Sequence, residues 1–415
     1  MFPLAAGVEF LDAPLAVFGV LLMLGALVSG IARRTFLSLT AAFVLAGFAL
    51  GEGGVGVLEF DANSDFVRAL AVVALTLILF RDGLEVEKEM LRTSWRMPAR
   101  KLVLAMPITA GLVALVTHAL TDLGWTESFL LGALLSPTDP VLSSTVVTNP
   151  RVPRAIRHSL NLESGLNDGL ALPAVLAFTA AAAGTDDFVW WRFVLQDVAV
   201  GFASGLAVAF VASRLMPRGA ALGHSISAHQ KALYALGVAF AAYGTAVLPP
   251  EGNGFIAVFV AAIAFGIWRP DIRECFETRS EDLIEIVKLG VFLVFGAILT
   301  LEGLFGDGWA AVAIVAFTLL VARPVAVFAA LAGTRQVDTA EKAFMAWFGP
   351  KGVATMAFAL FVLASAAPEG QRIADIAALA VLVSIIAHGL TDHPGAEWIA
   401  RRADRRGVPP SAVPG

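Results

Sequence analysis

The sequence predicts an all-α polytopic membrane protein: thirteen transmembrane helices in two inverted six-helix repeats, with helices 5 and 12 discontinuous. Three observations predict it. Of the 415 residues, 58% are hydrophobic and only 15% charged, where a soluble domain carries about 25% charged residues. The apolar residues gather in blocks of about 20, the length of a helix that crosses the hydrocarbon core. The segments joining those blocks are alternately rich and poor in Lys and Arg, as the cytoplasmic preference of basic residues requires.

In chain order the blocks lie near 13–32, 36–58, 65–82, 99–120, 126–148, 155–183, 188–215, 229–248, 253–268, 281–301, 308–332, 339–366 and 372–391. The first follows MFPLAAGVEFLDAP, which lacks the basic stretch of a cleaved signal and so reads as the lead-in to a retained helix. Gly51, Glu52, Gly53 and Gly54 weaken the second. With the N-terminus outside, the cytoplasmic segments and tail collect 24 of the 29 Lys and Arg. The external segments hold only Arg68, Arg192 and Arg372, while Arg323 and Lys351 fall within blocks. One helix more or fewer would break this alternation from that point onward.

The reading divides the chain into a transmembrane domain, 1–392, and a short cytoplasmic tail, 393–415, in a cell membrane with the C-terminus inside. Within the domain, helices 1–6 form one repeat, helix 7 links, and helices 8–13 form the other. Helices seven apart then run in opposite directions. Inverted repeats of this kind hold a transport site between them near mid-membrane. GFALG (47–51) and GFASG (201–205) have the small-residue spacing of closely packed helices. A net charge of −5 argues against a nucleic-acid partner, and Cys275, the single cysteine, excludes an internal disulfide or a cysteine-based metal cluster. The six histidines show no ligand spacing, no cofactor is implied, and membrane lipid is the expected surrounding.

A charge inside the membrane costs about 2.5–3.5 kcal/mol on insertion scales, so each one needs a reason. In LLSPTDPVLSST (134–145), Pro137 and Pro140 remove backbone donors and break helix 5 around Asp139. Unwound backbone at that depth is tolerated where it lines a cavity. Asp139, Thr138 and Ser143 there can give oxygen to a small hard cation, or Asp139 caps the second half-helix, or both hold. In NLESGLNDGLALP (161–173), Glu163, Ser164, Asn167 and Asp168 share one face of helix 6. Arg323, in mid-span of helix 11, needs a carboxylate partner, and Glu163 is the candidate. That pairing leaves Asp168 free to bind and release a proton. In WFGPKGVATM (347–356), Gly349, Pro350 and Gly352 break helix 12 around Lys351. Helix 12 is the repeat partner of helix 5, and paired interruptions are the sequence mark of a transporter site. Lys351 either neutralises half-helix carbonyls or snorkels to the interface. LFRDGLEVE (79–87) reads as a cytoplasmic rim, and His388 has no assigned role.

Together SPTDP, ESGLNDG and WFGPKG resemble the monovalent cation:proton antiporter family, in its electroneutral, NhaP-like sodium/proton exchanger branch. The resemblance covers essentially the whole membrane domain. It implies that Asp168 binds ion or proton, and that Thr138, Asp139 and Ser164 help hold the cation. It implies a structural ion pair of Glu163 and Arg323. It places Asn167 where electrogenic relatives carry a second aspartate, and it implies a homodimer. Lys351 departs from the arginine of many relatives, and the long regulatory tail of animal exchangers has no counterpart here.

The expected mechanism is competition at one carboxylate. Ionised, Asp168 binds Na+ (or Li+) with Asp139, Ser164 and Thr138; protonated, it does not. If only the loaded forms reorient, one cation exchanges for one proton. A K+/H+ exchanger of the same build is an equal fit to oxygen ligands. An intramembrane aspartyl protease also needs two buried aspartates, but its GxGD pattern is replaced by Gly165, Leu166 and Asn167 before Asp168. A channel would need a continuous selectivity filter, and nothing in the sequence resembles one.

Overall fold

The structure is a computed structural model and describes residues 9–32, 39–86, 95–139, 146, 149–184, 189–217, 226–334, 336–365 and 367–406. These residues are helical, with turns and extended connections and no strand among them. The helices are α1 (Glu9–Ala32), α2 (Leu39–Leu50), α3 (Asp65–Leu84), α4 (Arg96–Leu120), α5 (Trp125–Leu134), α6 (Arg154–Ala182), α7 (Trp190–Leu215) and α8 (Ala228–Ala246). They continue with α9 (Gly254–Trp268), α10 (Pro270–Arg279), α11 (Glu281–Ile298), α12 (Leu301–Leu304), α13 (Trp309–Ala330), α14 (Thr339–Trp347), α15 (Val353–Ala364) and α16 (Gly370–Arg405). Five of them, α4, α6, α7, α13 and α16, are long and apolar enough to cross a membrane by length and composition alone, or six spans if the bent pair α9–α10 is one.

Local chemistry sets several helix starts. Ser64 caps α3 by accepting from the Val67 amide, and Asn253 caps α9 by accepting from Phe255 and Ile256. Ser227 with Gln230, and Asp338 with Glu341, form reciprocal capping boxes on α8 and α14. Each satisfies amides that a helix start leaves unpaired.

The structure departs from the expected boundaries at four places. The second block keeps helix only to Leu50, because Gly51, Gly53 and Gly54 open it into a turn. The fifth ends at Leu134, just before the SPTDP break. The ninth is followed by α10, a polar helix started by Pro270 and bent 116° from α9. The last helix carries through Pro394 to Arg405, so much of the expected tail is helical. At 36 residues, α16 is roughly 54 Å long, well beyond the hydrocarbon thickness.

Packing centres on α3, which touches α6, α9, α11 and α15. Two close approaches rest on glycine. A methyl at Gly47 would stand 2.3 Å from the Leu293 carbonyl oxygen, and one at Gly205 would stand 2.3 Å from that of Ala257. Only a bare Cα admits α2 against α11 and α7 against α9 at that separation. Ion clusters tie the ends. Fully buried Arg269 donates to the Met216 carbonyl at the end of α7 and grips Asp271, which also takes Lys231 of α8. At the start of α16, Arg372 holds Asp307 and Asp122 from two separate loops.

Candidate ion-binding site

Two stretches of unwound chain meet in the middle of the fold. Helix α5 stops at Leu134 and α14 stops at Trp347, and the chains beyond them, Ser136–Asp139 and Phe348–Gly352, pair with each other. The Asp139 amide donates to the Pro350 carbonyl at 2.9 Å, and the Asp139 carboxylate accepts from the Val353 amide at 3.1 Å. Lys351, fully buried, donates from Nζ to the Pro137 carbonyl at 3.0 Å. Its own amide donates to the Ser384 hydroxyl of α16. Thr355 donates to the Leu134 carbonyl at 3.2 Å. Proline and glycine cause the breaks, and each break fills the other's vacant backbone positions. The Lys351 ammonium thus faces a carbonyl of the first break and not solvent.

Glycine makes this crossing possible. A methyl on Gly352 would lie 2.4 Å from Asp139 Oδ2, and one on Gly349 would overlap the Arg323 guanidinium. Pro140 and Ser143 lie outside the described residues.

Helix α6 presents its polar face to the crossing, but its members go separate ways. Asn167 donates from Nδ2 to the Thr138 carbonyl at 2.7 Å and to the Thr138 hydroxyl at 3.1 Å. Glu163 pairs with cations beside the crossing. It accepts from Arg323 at 3.3 Å and also from Lys101, whose side chain is fully buried. Lys101 stands at the start of a π-helical stretch, Lys101–Ala105, in α4, and Arg323 directly follows another, Thr318–Ala322, in α13. Such bulges are often retained where they aim a side chain.

Asp168, buried at 8% exposure, lies next to Asp82 and within electrostatic range of Asp139. This changes the reading of LFRDGLEVE. Asp82 is 3% exposed, pairs with Arg81 at 2.7 Å, and keeps Oδ2 without a hydrogen-bond partner among the described residues. It belongs to the buried acid cluster, while Glu85 one turn on is exposed. The sequence places this pair at a helix end, which is correct, but does not reveal that α3 is central.

A cavity of about 490 Å³ reaches the cluster. Its floor includes Asp82, Asp139 and Ser164, and its walls run past Arg81 and Glu85 to Glu277 and Glu281 at the α10–α11 junction. Asp168 sits behind this lining. A separate crevice of about 460 Å³ enters from the opposite end, between Thr179, Gln196, Asn253 and Phe361. Apolar packing separates the two. Phe255 meets Phe361 edge to face at 5.6 Å, and Phe259 occupies the notch left by Gly169, where a methyl would be 2.3 Å from the ring. The arrangement can hold a small cation among carboxylate, hydroxyl and carbonyl oxygens, with a cavity on one side and apolar packing on the other. Among the described residues no group of three or more His, Cys, Asp or Glu is set to hold a resident metal ion.

Fold and site together define a helical membrane protein built around crossed, interrupted helices with buried carboxylates at the crossing. The chain belongs to the family described as sodium/hydrogen exchanger, transmembrane, whose profile matches residues 19–398. It is 25% identical over 415 residues to the K(+)/H(+) antiporter NhaP of Alkalimonas amylolytica, covering 98% of this chain and 70% of that one. It spans 66% of the length of relatives named K(+)/H(+) antiporter NhaP2 from Shewanella. It is 26% identical over 406 residues to the Na(+)/H(+) antiporter NhaH of Halobacillus dabanensis, covering 90% of this chain and 96% of that one. Its fold is that of the sodium proton antiporter MjNhaP1 from Methanocaldococcus jannaschii at pH 8, with TM-score 0.79 and 18% identity over 94% of this chain and 100% of that one.

Proposed function

We propose that this protein is a secondary active antiporter that exchanges Na+ for H+ across the membrane, one for one, with both ions competing for Asp168. The observation that carries the reading is the crossing itself: Asp139 is fixed by both broken chains, lies within electrostatic range of Asp168, and is reached by a cavity from one end only. The cation would sit among Asp168, Asp139, the Ser164 hydroxyl and the Thr138 oxygens, with water from the cavity and with Asp82 close by. Asn167 fixes Thr138 and carries no charge, so a single carboxylate at this pair of positions exchanges one charge for one charge. Glu163, Lys101 and Arg323 form a structural ion cluster that fixes the rotation of α6.

In this reading the chain crosses the membrane thirteen times as two inverted repeats, with α5 and the α14–α15 pair as repeat partners. The N-terminus is outside and the C-terminus cytoplasmic. The structure then corresponds to an inward-facing form, with Glu277 and Glu281 at the cytoplasmic mouth. Alternating access would move α5, α6, α14 and α15 against the helices that carry Phe255 and Phe259, closing the cavity and opening the crevice. Assembly as a homodimer goes with the family reading.

A K+/H+ exchanger is a second reading, favoured by the names of the Alkalimonas and Shewanella relatives. Proteoliposomes with a trapped pH dye separate the two: Na+, K+ or Li+ added outside alkalinises the lumen only if that ion is exchanged. The one-for-one reading expects the rate to be unmoved by an imposed potential. Exchange that persists in Asp168→Asn would remove Asp168 from the centre.

A further inference from the structure

The break between α14 and α15 is buttressed from outside the ion site by His388. Its side chain is 1% exposed, and each ring nitrogen faces a fixed polar group. Nε2 lies 2.8 Å from the carbonyl oxygen of Trp347, the last residue of α14. Nδ1 lies 2.8 Å from the Ser384 carbonyl oxygen and 3.1 Å from the Ser384 hydroxyl. Both nitrogens face a carbonyl, but the Ser384 hydroxyl, which accepts from the Lys351 amide, can donate to Nδ1, and this assigns the hydrogen of the neutral ring to Nε2. The Trp347 indole stacks on the imidazole at 5.0 Å and donates to the Thr391 hydroxyl.

Ser384, His388 and Thr391 form one stripe of α16, spaced by about one turn. The stripe grips the chain on both sides of the interruption. His388 and Thr391 hold Trp347 before it, and Ser384 accepts from the Lys351 amide within it at 2.8 Å. Lys351 in turn reaches the Pro137 carbonyl, and Pro350 accepts from the Asp139 amide. A helix end leaves carbonyls unpaired, and one buried without a donor is costly. Nε2 thus meets the helix end at Trp347, while Nδ1 meets the serine of its own helix that holds the Lys351 amide.

We propose that His388 is a positioning residue for the ion site: its Nε2–H bond to the Trp347 carbonyl sets the end of α14, and through Pro350 and Lys351 the placement of Asp139. The inference rests on the antiporter reading above and names a residue that touches neither ion.

The test uses the full chain in dye-loaded proteoliposomes, titrated with Na+ and with K+. Glutamine can place an amide near the position of Nε2, whereas asparagine reaches only the Nδ1 side. His388→Ala and His388→Asn are expected to raise the half-saturating cation concentration about tenfold while the rate at saturation stays within about twofold, the former being the factor for one buried hydrogen bond of about 1.4 kcal/mol. His388→Gln is expected to restore the half-saturating concentration to within about threefold of the parent. Ser384→Ala, which removes the acceptor for Lys351, should shift it in the same direction as His388→Ala.

Loss of maximal rate with unchanged half-saturation in all three His388 variants would overturn the proposal, as would Gln and Asn behaving alike. If the alanine variant fails to fold, the Gln–Asn contrast still decides. The parent and Asp168→Asn run alongside: a parent with no exchange defeats the antiporter reading, whereas an active parent with indifferent His388 variants defeats only the positioning role.

Discussion

Substituting Gly352 by alanine places a methyl group where the Asp139 carboxyl now lies. The new carbon would stand 2.4 Å from Asp139 Oδ2, 2.6 Å from its Cβ and 2.8 Å from its Cγ. Ordinary contact starts near 3.4 Å, so the carboxyl must retreat by about 1 Å or the α15 start must move away by as much. Either motion breaks the 3.1 Å bond from the Val353 amide to Oδ2, because a donor–acceptor distance near 4 Å is no longer a hydrogen bond. Hydrogen bonds to charged groups contribute about 1.5–3 kcal/mol, and each 1.4 kcal/mol is a factor of ten in binding. The half-saturating cation concentration should therefore rise about 10- to 100-fold. The assay is initial exchange rate against cation concentration in proteoliposomes, with detergent gel filtration and a melting curve to establish folding. A folded Gly352→Ala protein with the parent's half-saturation would refute the placement of Asp139 in the site.

Other perturbations separate structural from transport roles. Glu163→Gln leaves Lys101 and Arg323 buried without their counter-charge, which should cost about 3–5 kcal/mol and show as a large drop in melting temperature. A Glu163→Gln protein as stable as the parent would dissolve the cluster as a structural element. Outside the membrane spans, hydrogen bonding from Arg269 holds the Asp271 carboxyl down to about 2. A depressed carboxylate stabilises the fold at pH values above its unfolded pKa, and that contribution disappears as pH falls through about 4 toward 2. Asp271→Asn should thus lower the melting temperature at pH 7 and lose its difference from the parent as pH approaches 2. Equal deficits at both ends would refute the electrostatic origin.

The breaks at SPTDP and WFGPKG were legible because proline and glycine act locally, and an aspartate or lysine in an apolar block announces its own cost. The polar face of α6 was legible for the same reason, although hydropathy could not say that Glu163 takes Lys101 as well as Arg323 while Asn167 holds Thr138. Lys101 was not legible as a site residue, since a basic residue at the edge of an apolar block looks like a surface charge. Its burial depends on the π-helical turn that follows and on a carboxylate 62 residues away. Asp82 was hidden by its place at a helix end, because depth comes from the helices around α3. His388 stayed silent for a related reason: its partner Trp347 is 41 residues distant. Helix α10 carries no apolar periodicity, so no hydropathy reading would place it beside the cavity mouth.

Calorimetric titration of the purified protein with Na+ and with K+, repeated in buffers of different ionisation enthalpy, counts the protons released as a cation binds. Competition at Asp168 requires about half a proton released per cation at the midpoint of its titration and close to one on the acid side, where apparent affinity falls about tenfold per pH unit, and no release in Asp168→Asn. Cation binding with no proton release in the parent, or unchanged release in Asp168→Asn, would contradict it.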